Sequence, residues 1–343
     1  MTAPRSASVH PPLSPARAAG DRPVRTASEG SAPKRPAPPT PQIRVGIDIG
    51  GTKAEAVAIS PDGTVIASAW RATERGPEGI LATVSAVIRD LPVQPDAIGI
   101  GIPGQIVGGV VRNAVNLGVD SLDLGGAVAD RAGVPVRVEN DVNAAALGAH
   151  GLRAPATGSM AYLNLGTGVA AGIVVDGRVW GGSGGVAGEV GHVSIDPAGP
   201  ACPCGQRGCI ETLAGGASIA RRWGRAGEHP VRDVFDAADQ GDREAIDLRD
   251  DLARGVAAAV RVLALTVDPS AVVIGGGIAR LGERLLSAVR SELDASASAS
   301  PFLTSLRLSD RIEVLPSGSA AGALGAALAA SDAAAPREGA AHG

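Results

Sequence analysis

Four residues carry the plainest chemistry in this 343-residue sequence: His192, Cys202, Cys204 and Cys209. They supply one imidazole and three potential thiolates, and the chain has 3 cysteines in all. The set matches a closed tetrahedral Cys3His zinc site, in which four protein ligands leave no position for water, so the metal would brace a loop rather than act as a Lewis acid. An odd cysteine number packed between positions 202 and 209 fits metal binding better than a disulfide framework.

A second kind of chemistry is written in glycine. In the run Gly46-Ile-Asp-Ile-Gly-Gly-Thr-Lys53, Asp48 ends an apolar strand and would stand beside a bound metal. Gly50, Gly51, Thr52 and Lys53 follow at a turn where backbone N–H groups can approach phosphate oxygens. The order Thr52-Lys53 excludes the P-loop pattern, which needs Lys before Ser or Thr. Gly166-Thr167-Gly168 repeats the logic further along the chain. Gly275-Gly276-Gly277 lacks the third glycine of a dinucleotide fingerprint, because position 280 is Arg280. It suits either close approach of a flat ligand such as adenine or a tight strand-to-helix turn. Glu139-Asn140-Asp141 precedes an Ala-rich helical segment. Asp141 there reads equally as a catalytic carboxylate or, like Asn140, as a helix N-cap.

These residues need elements to hold them. Apolar runs predict a strand over 43–49, a second over 54–60 ending at Pro61-Asp62-Gly63, and a matching hairpin over 160–165 and 169–175 closing at Asp176-Gly177. Two such hairpins suggest two related halves. Between them the pattern predicts a helix over 79–91 and strands over 97–102 and 134–138; after them, helical segments from 217 to about 267, a strand over 271–274 and a closing helix over about 320–330. Strands alternating with helices indicate an α/β fold.

Composition bounds the rest. Hydrophobic residues are 45% and aromatics 2%, so the core is aliphatic. A formal charge of -4 gives no field to draw in nucleic acid or an anionic membrane. With no long apolar span and no secretory h-region, a cytoplasmic protein is expected. Residues 1–42 and 331–343, rich in Pro, Ala and Gly, are expected to be disordered tails.

Taken together, Asp-Ile-Gly-Gly-Thr-Lys (48–53), Gly-Ile-Pro-Gly (101–104), Glu-Asn-Asp-Val-Asn-Ala-Ala-Ala-Leu-Gly (139–148), Leu-Gly-Thr-Gly (165–168), Ala-Gly-Glu-Val-Gly-His (187–192) and Cys-Pro-Cys-Gly-Gln-Arg-Gly-Cys-Ile-Glu (202–211) resemble the ROK family of bacterial sugar kinases and repressors. The resemblance covers residues 43–330 and implies an actin-like ATPase (ribonuclease H-like) two-domain sugar kinase fold with an interdomain cleft. Its domains would be 43–150, against which a closing helix near 317–330 packs back, and 151–316, which carries the zinc loop. The implied activity is ATP-dependent phosphorylation of glucose or a related hexose, in glycolysis, with Mg2+ accompanying ATP and structural Zn2+. By motif, Asp141 is the general base, and Gly104, Asn116, Asn140, Asp141, Glu189, His192 and Glu211 contact the sugar. Asp48, Gly50, Gly51, Thr52, Lys53, Gly166, Thr167, Gly168, Gly275, Gly276 and Gly277 hold the nucleotide. His192 could serve both sugar and metal through its two ring nitrogens.

The sequence departs from the family where an aromatic residue often follows Asn-Leu, since Asn116-Leu117-Gly118-Val119 has none, and where Ala170-Ala171 replaces glycines after the second turn. The sugar therefore stays open among glucose, mannose, fructose, N-acetylglucosamine and N-acetylmannosamine, and the donor between ATP and polyphosphate. A homo-oligomer, dimer or tetramer, is expected, with no nucleic-acid or membrane partner. The rival classes are a repressor, for which residues 1–42 are too short and Pro-rich to form a winged helix, and a non-catalytic sugar-binding regulator, against which Asp141, Asp48 and both phosphate turns argue.

Overall fold

The structure is a computed structural model that describes residues 42–153 and 158–331. The tails expected over 1–42 and 331–343 fall, apart from their innermost residues, outside the described range. The chain opens with β1 (Arg44–Ile49), β2 (Lys53–Ile59) and β3 (Val65–Ala72), then α1 (Gly76–Arg89) and β4 (Ala97–Ile102). A small three-stranded sheet of β5 (Gln105–Val107), β6 (Val110–Ala114) and β7 (Val119–Asp123) follows, then α2 (Leu124–Ala132), β8 (Val136–Asn140) and α3 (Asp141–Gly151). The strands order as β3-β2-β1-β4-β8 in one sheet, with the first three antiparallel and β1, β4 and β8 parallel.

The next stretch repeats the scheme. Its strands are β9 (Ser159–Leu165), β10 (Val169–Val175) and β11 (Arg178–Val179). Four helices come next, α4 (Ile210–Ala214), α5 (Gly216–Trp223), α6 (Pro230–Asp239) and α7 (Arg243–Val267). The chain closes with β12 (Val272–Gly275), α8 (Glu283–Ala297), α9 (Pro301–Ser305), β13 (Ile312–Val314) and α10 (Ala321–Ala329). The second sheet runs β11-β10-β9-β12-β13, the same order and the same directions as the first.

Two boundaries differ instructively from the sequence reading. The helical span after 217 is broken by glycines in the left-handed region, Gly224 (φ 63) and Gly241 (φ 88), with Pro230 opening α6 and the Asp242 side chain capping α7. The strand expected over 134–138 instead runs to Asn140, paired with Ile102 of β4. That shift decides which residue caps the next helix.

One face of the first sheet buries Ile47, Ile49, Ile98 and Ile100 in an aliphatic core with α1 and α2; the second sheet packs Leu163, Leu165 and Ile274 against the α7 and α8 helices. The opposite faces meet two helices whose assignments cross over. α10, following the last strand of the second sheet, lies on the first, where a Cβ on Gly46 or Gly99 would collide with the backbone of Ala323 or Ala326. α3, following the last strand of the first sheet, lies on the second, against Gly172. The two helices touch through Gly148 against Ala321 and Gly325 against Ala144. Glycine within a strand costs about 0.5–1 kcal/mol relative to alanine, which the close backbone approach offsets.

Candidate functional site

The site begins at the end of β1. Asp48 pairs in register with Glu55 on one side and Gly101 on the other. An ideal Cβ on Gly101 would stand 3.7 Å from both Asp48 Oδ1 and the Cα of Asp141, so this glycine lies between the two acidic residues. Behind Asp48 lies the first turn of α10: a Cβ on Gly322 would collide with its carboxylate. Burial, reinforced by the nearby charges of Asp141 and Glu55, raises the Asp48 pKa to about 7. Burial also pushes the Asp141 carboxyl up, partly opposed by the backbone N–H of Val142.

The cap question resolves cleanly. Asn140 is the N-cap of α3: its Oδ1 accepts from Val142 N at 3.0 Å and Asn143 N at 3.3 Å, while its Nδ2 donates to Gly104 O at 3.2 Å. Asp141 is the first helical residue, so its side chain is left for other work. Gly104 adopts φ +110 with Arg112 O beneath it, a conformation and a clearance that suit glycine. Glu139 is spent locally, its Oε1 accepting from Asn143 Nδ2 at 3.3 Å and its Oε2 facing Arg137.

Around these, the first glycine turn is closed by Gly50 N to Lys53 O at 2.9 Å and by the Thr73 hydroxyl donating to Gly50 O at 2.8 Å. Gly51, Thr52 and Lys53 are exposed, and Lys53 Nζ pairs with Glu55 at 3.0 Å. The second turn is tied down by Gly216 N to Gly166 O and Ala217 N to Thr167 O, and Glu211 Oε2 accepts from Val169 N at 3.0 Å beside Gly168. Glu211 therefore stands between the turn and α4. Gly166, Thr167 and Gly277 line a cavity of about 840 Å3 with Gly216, His229 and Arg280. Of the three consecutive glycines only Gly277 opens on it; Gly275 gives room to the Tyr162 ring and Gly276 to the Leu165 carbonyl. Asn116 is exposed on a single 3-10 turn between β6 and β7.

The motif Ala187 to His192 lies against β10 through its glycines: Ala171 N donates to Gly188 O at 2.7 Å, and Cβ atoms on Gly188 or Gly191 would strike β10 carbonyls. This fixes Glu189 and His192. His192 Nε2 faces Glu189 Oε2 at 4.0 Å, and its Nδ1 faces Cys202 Sγ at 4.0 Å. The donor atoms of His192, Cys202, Cys204 and Cys209 all lie within 4.8 Å of one another. Cys204 and Cys209 Sγ are 3.7 Å apart, the edge of a tetrahedron with metal–sulfur bonds of roughly 2.3 Å. Hydrogen bonds from Gln206 lower the Cys204 pKa, whereas burial raises that of Cys209.

Sequence reasoning missed Gly322 and Tyr162, and it named Gly101 only as part of the Gly-Ile-Pro-Gly motif, with no role. Tyr162 is the one tyrosine in the chain; it is buried, and its phenol is pushed up by burial and by the charges of Asp48 and Asp141. Its only sequence signal is rarity. No helix among the described residues is long and apolar enough to cross a membrane.

Known proteins resemble this chain in sequence and in fold. The glucokinase of Thermotoga maritima is 34% identical over 274 residues, 73% of this chain and 86% of that protein. The N-acetylmannosamine kinase of Citrobacter koseri is 32% identical over 255 residues, 71% and 86%. Among solved structures, a ROK family glucokinase from Streptomyces griseus in complex with glucose and AMPPNP superposes with a TM-score of 0.68 at 32% identity, covering 84% of this chain and 99% of that one. The ROK family profile matches residues 44–333. The chain has the actin-like fold of these sugar kinases and belongs to the ROK family.

Proposed function

We propose that this chain is an ATP-dependent hexose kinase acting on glucose, giving glucose 6-phosphate and ADP, with Asp141 as the general base. The observation that carries the reading is the pairing of Asp48 and Asp141 across Gly101, with Asn140 alone serving as cap. The acceptor hydroxyl gives its proton to the Asp141 carboxylate as its oxygen forms the new bond to the γ-phosphorus. The bond from that phosphorus to the β,γ-bridging oxygen breaks, and ADP leaves with the electron pair. Asp48, Gly50, Gly51 and Thr52 would hold Mg2+ and the phosphates, the ion's chemistry being to neutralise charge on the transferring group. Gly166, Thr167 and Gly277, which line the 840 Å3 cavity, would hold the rest of the nucleotide. Glu189, His192, Glu211, Asn116 and the Gly104 segment would read the sugar hydroxyls, so that analogues lacking them are rejected. The two halves, 43–150 and 151–316, act as the domains that enclose both substrates.

We read the metal as zinc, because three sulfurs and one imidazole within 4.8 Å of one another are its preferred donor set. With the His192 Nδ1 turned to Cys202 and its Nε2 to Glu189, the ion would orient the sugar-reading wall without touching the reaction. Metal analysis of the purified chain should give about one zinc per chain, and its absence would remove this assignment. N-acetylmannosamine is the second candidate acceptor, favoured by the 32% identical Citrobacter koseri relative. An ADP-release assay over a hexose panel decides between them. Asp141→Asn should lower turnover on the best sugar by ~10²–10⁴-fold while sugar binding by calorimetry survives; a smaller loss takes the base role away from Asp141.

A further inference from the structure

Away from the carboxylate pair the structure holds a second set of groups that the kinase reading does not use. Arg44 opens β1, four residues before Asp48, which along a strand is about 13 Å. It is 7% exposed, yet its hydrogen bonds are two long ones from one terminal nitrogen, to Ser60 O at 3.5 Å and Pro61 O at 3.4 Å. Among the described residues no carboxylate pairs with it. Buried guanidiniums are ordinarily matched by an acid, because an unmatched buried charge is costly.

Arg44 is not alone. It lines a cavity of about 540 Å3 together with Arg137, His150 and Arg178. Arg44 Nε, Arg137 Nε and His150 Nε2 are buried without a hydrogen-bond partner, three of the six such side-chain atoms among the described residues. All three belong to this one wall. Arg178 is exposed and pairs with no acid among the described residues. Among the described residues two carboxylates share the lining: Glu139, already engaged by Arg137 at 3.3 Å, and Asp176. The guanidiniums outnumber the acids, and guanidinium forks with an imidazole match the donor geometry that a tetrahedral oxyanion accepts.

We propose that this cavity is an anion site for a phosphate group, inorganic phosphate or the phosphomonoester of a sugar phosphate, held by Arg44, Arg137, His150 and Arg178. Arg44 and Arg137 come from strands of the first sheet and Arg178 from the hairpin that edges the second, so an anion here ties the two halves together. Arg44 stands at the start of β1, whereas Asp48 lies near its end. Its occupancy would therefore bias how far the halves stand apart at the reacting end. The assignment holds whether or not the chain proves to be a kinase.

Calorimetric titration of the full chain with inorganic phosphate, and separately with glucose 6-phosphate, tests it. One of the two should bind at millimolar concentration or better, and the tighter one identifies the source. Arg178→Ser and His150→Gln, which leave the buried Arg44 untouched and so spare the fold, should each weaken that binding about tenfold, the worth of one charge-assisted hydrogen bond. Thr167→Ala, in the nucleotide cavity, should leave it unchanged. Absence of binding, or equal affinity in the Arg178 and His150 variants, or loss in the Thr167 variant, overturns the proposal.

Discussion

The two sheets share strand order and direction, but their inner faces are finished differently. In the first, Gly46 and Gly99 strip the surface so that α10 lies backbone to backbone upon it, and its first turn closes behind Asp48. In the second, Tyr162 fills the corresponding ground, its ring resting where a side chain at residue 275 would be. At the strand ends the contrast sharpens. Asp48 stands two residues before Gly50, and Asn164 stands two residues before Gly166, with its amide between Gly166 and Gly276. Topology is repeated and charge is not. A polyphosphate with a cation needs an anionic ligand on one lip, while a second carboxylate on the other would only repel it.

The largest expected effect tests that charge asymmetry. Asp48 has a folded pKa of about 7 against 3.8 for the ordinary carboxyl, so the unfolded chain gives up the proton first as pH rises. Folding stability from this group is fully present below about pH 4 and is lost as pH climbs through 7. Asp48→Asn, melted without ligands, should match the parent at pH 4 and exceed it at pH 8 by up to ~4 kcal/mol. Asn164→Ala should show no such divergence with pH. Equal pH curves for the Asp48 variant and the parent would dissolve the contrast.

Next come the two clearances. Gly322→Ala drives a methyl into Asp48 and should cut turnover by ~10²-fold through misplacement of the carboxylate. Gly275→Ala instead crowds Tyr162 and should cost about 1–3 kcal/mol of stability, with the folded fraction turning over nearly normally. Paired melting curves and steady-state rates separate the outcomes, and a Gly275 variant as catalytically damaged as the Gly322 one would erase the distinction. The smallest effect is Asn164→Asp, which puts a carboxylate on the neutral lip. It should raise KM for ATP about tenfold with little change in kcat, by charge repulsion at the phosphates.

These positions also mark where the sequence stopped being readable. Both glycine-turned hairpins were legible because β-branched runs and turn residues are local signals. So was the metal cluster, because all cysteines in the chain fall within it. The β5–β7 sheet went unassigned, since its strands are short and partly exposed and give little alternation. Which of Asn140 and Asp141 caps α3 could not be read locally, as it depends on β8 extending two residues past its apolar run. Gly322 reaches Asp48 across more than 270 positions of chain. Nothing in Ser-Ala-Ala-Gly-Ala hints at a carboxylate lying on that glycine.

The crossing of α3 and α10 has a mechanical meaning. Where Gly148 meets Ala321 and Gly325 meets Ala144, neither surface carries knobs that must climb out of holes when one helix turns on the other. At the far end of this seam a long side chain, that of Leu328, lies over Gly151. The geometry is that of an axle: two slim helices cross at the centre of the molecule, each carrying the sheet of the other half, so any turn of one half against the other must pass through this one seam.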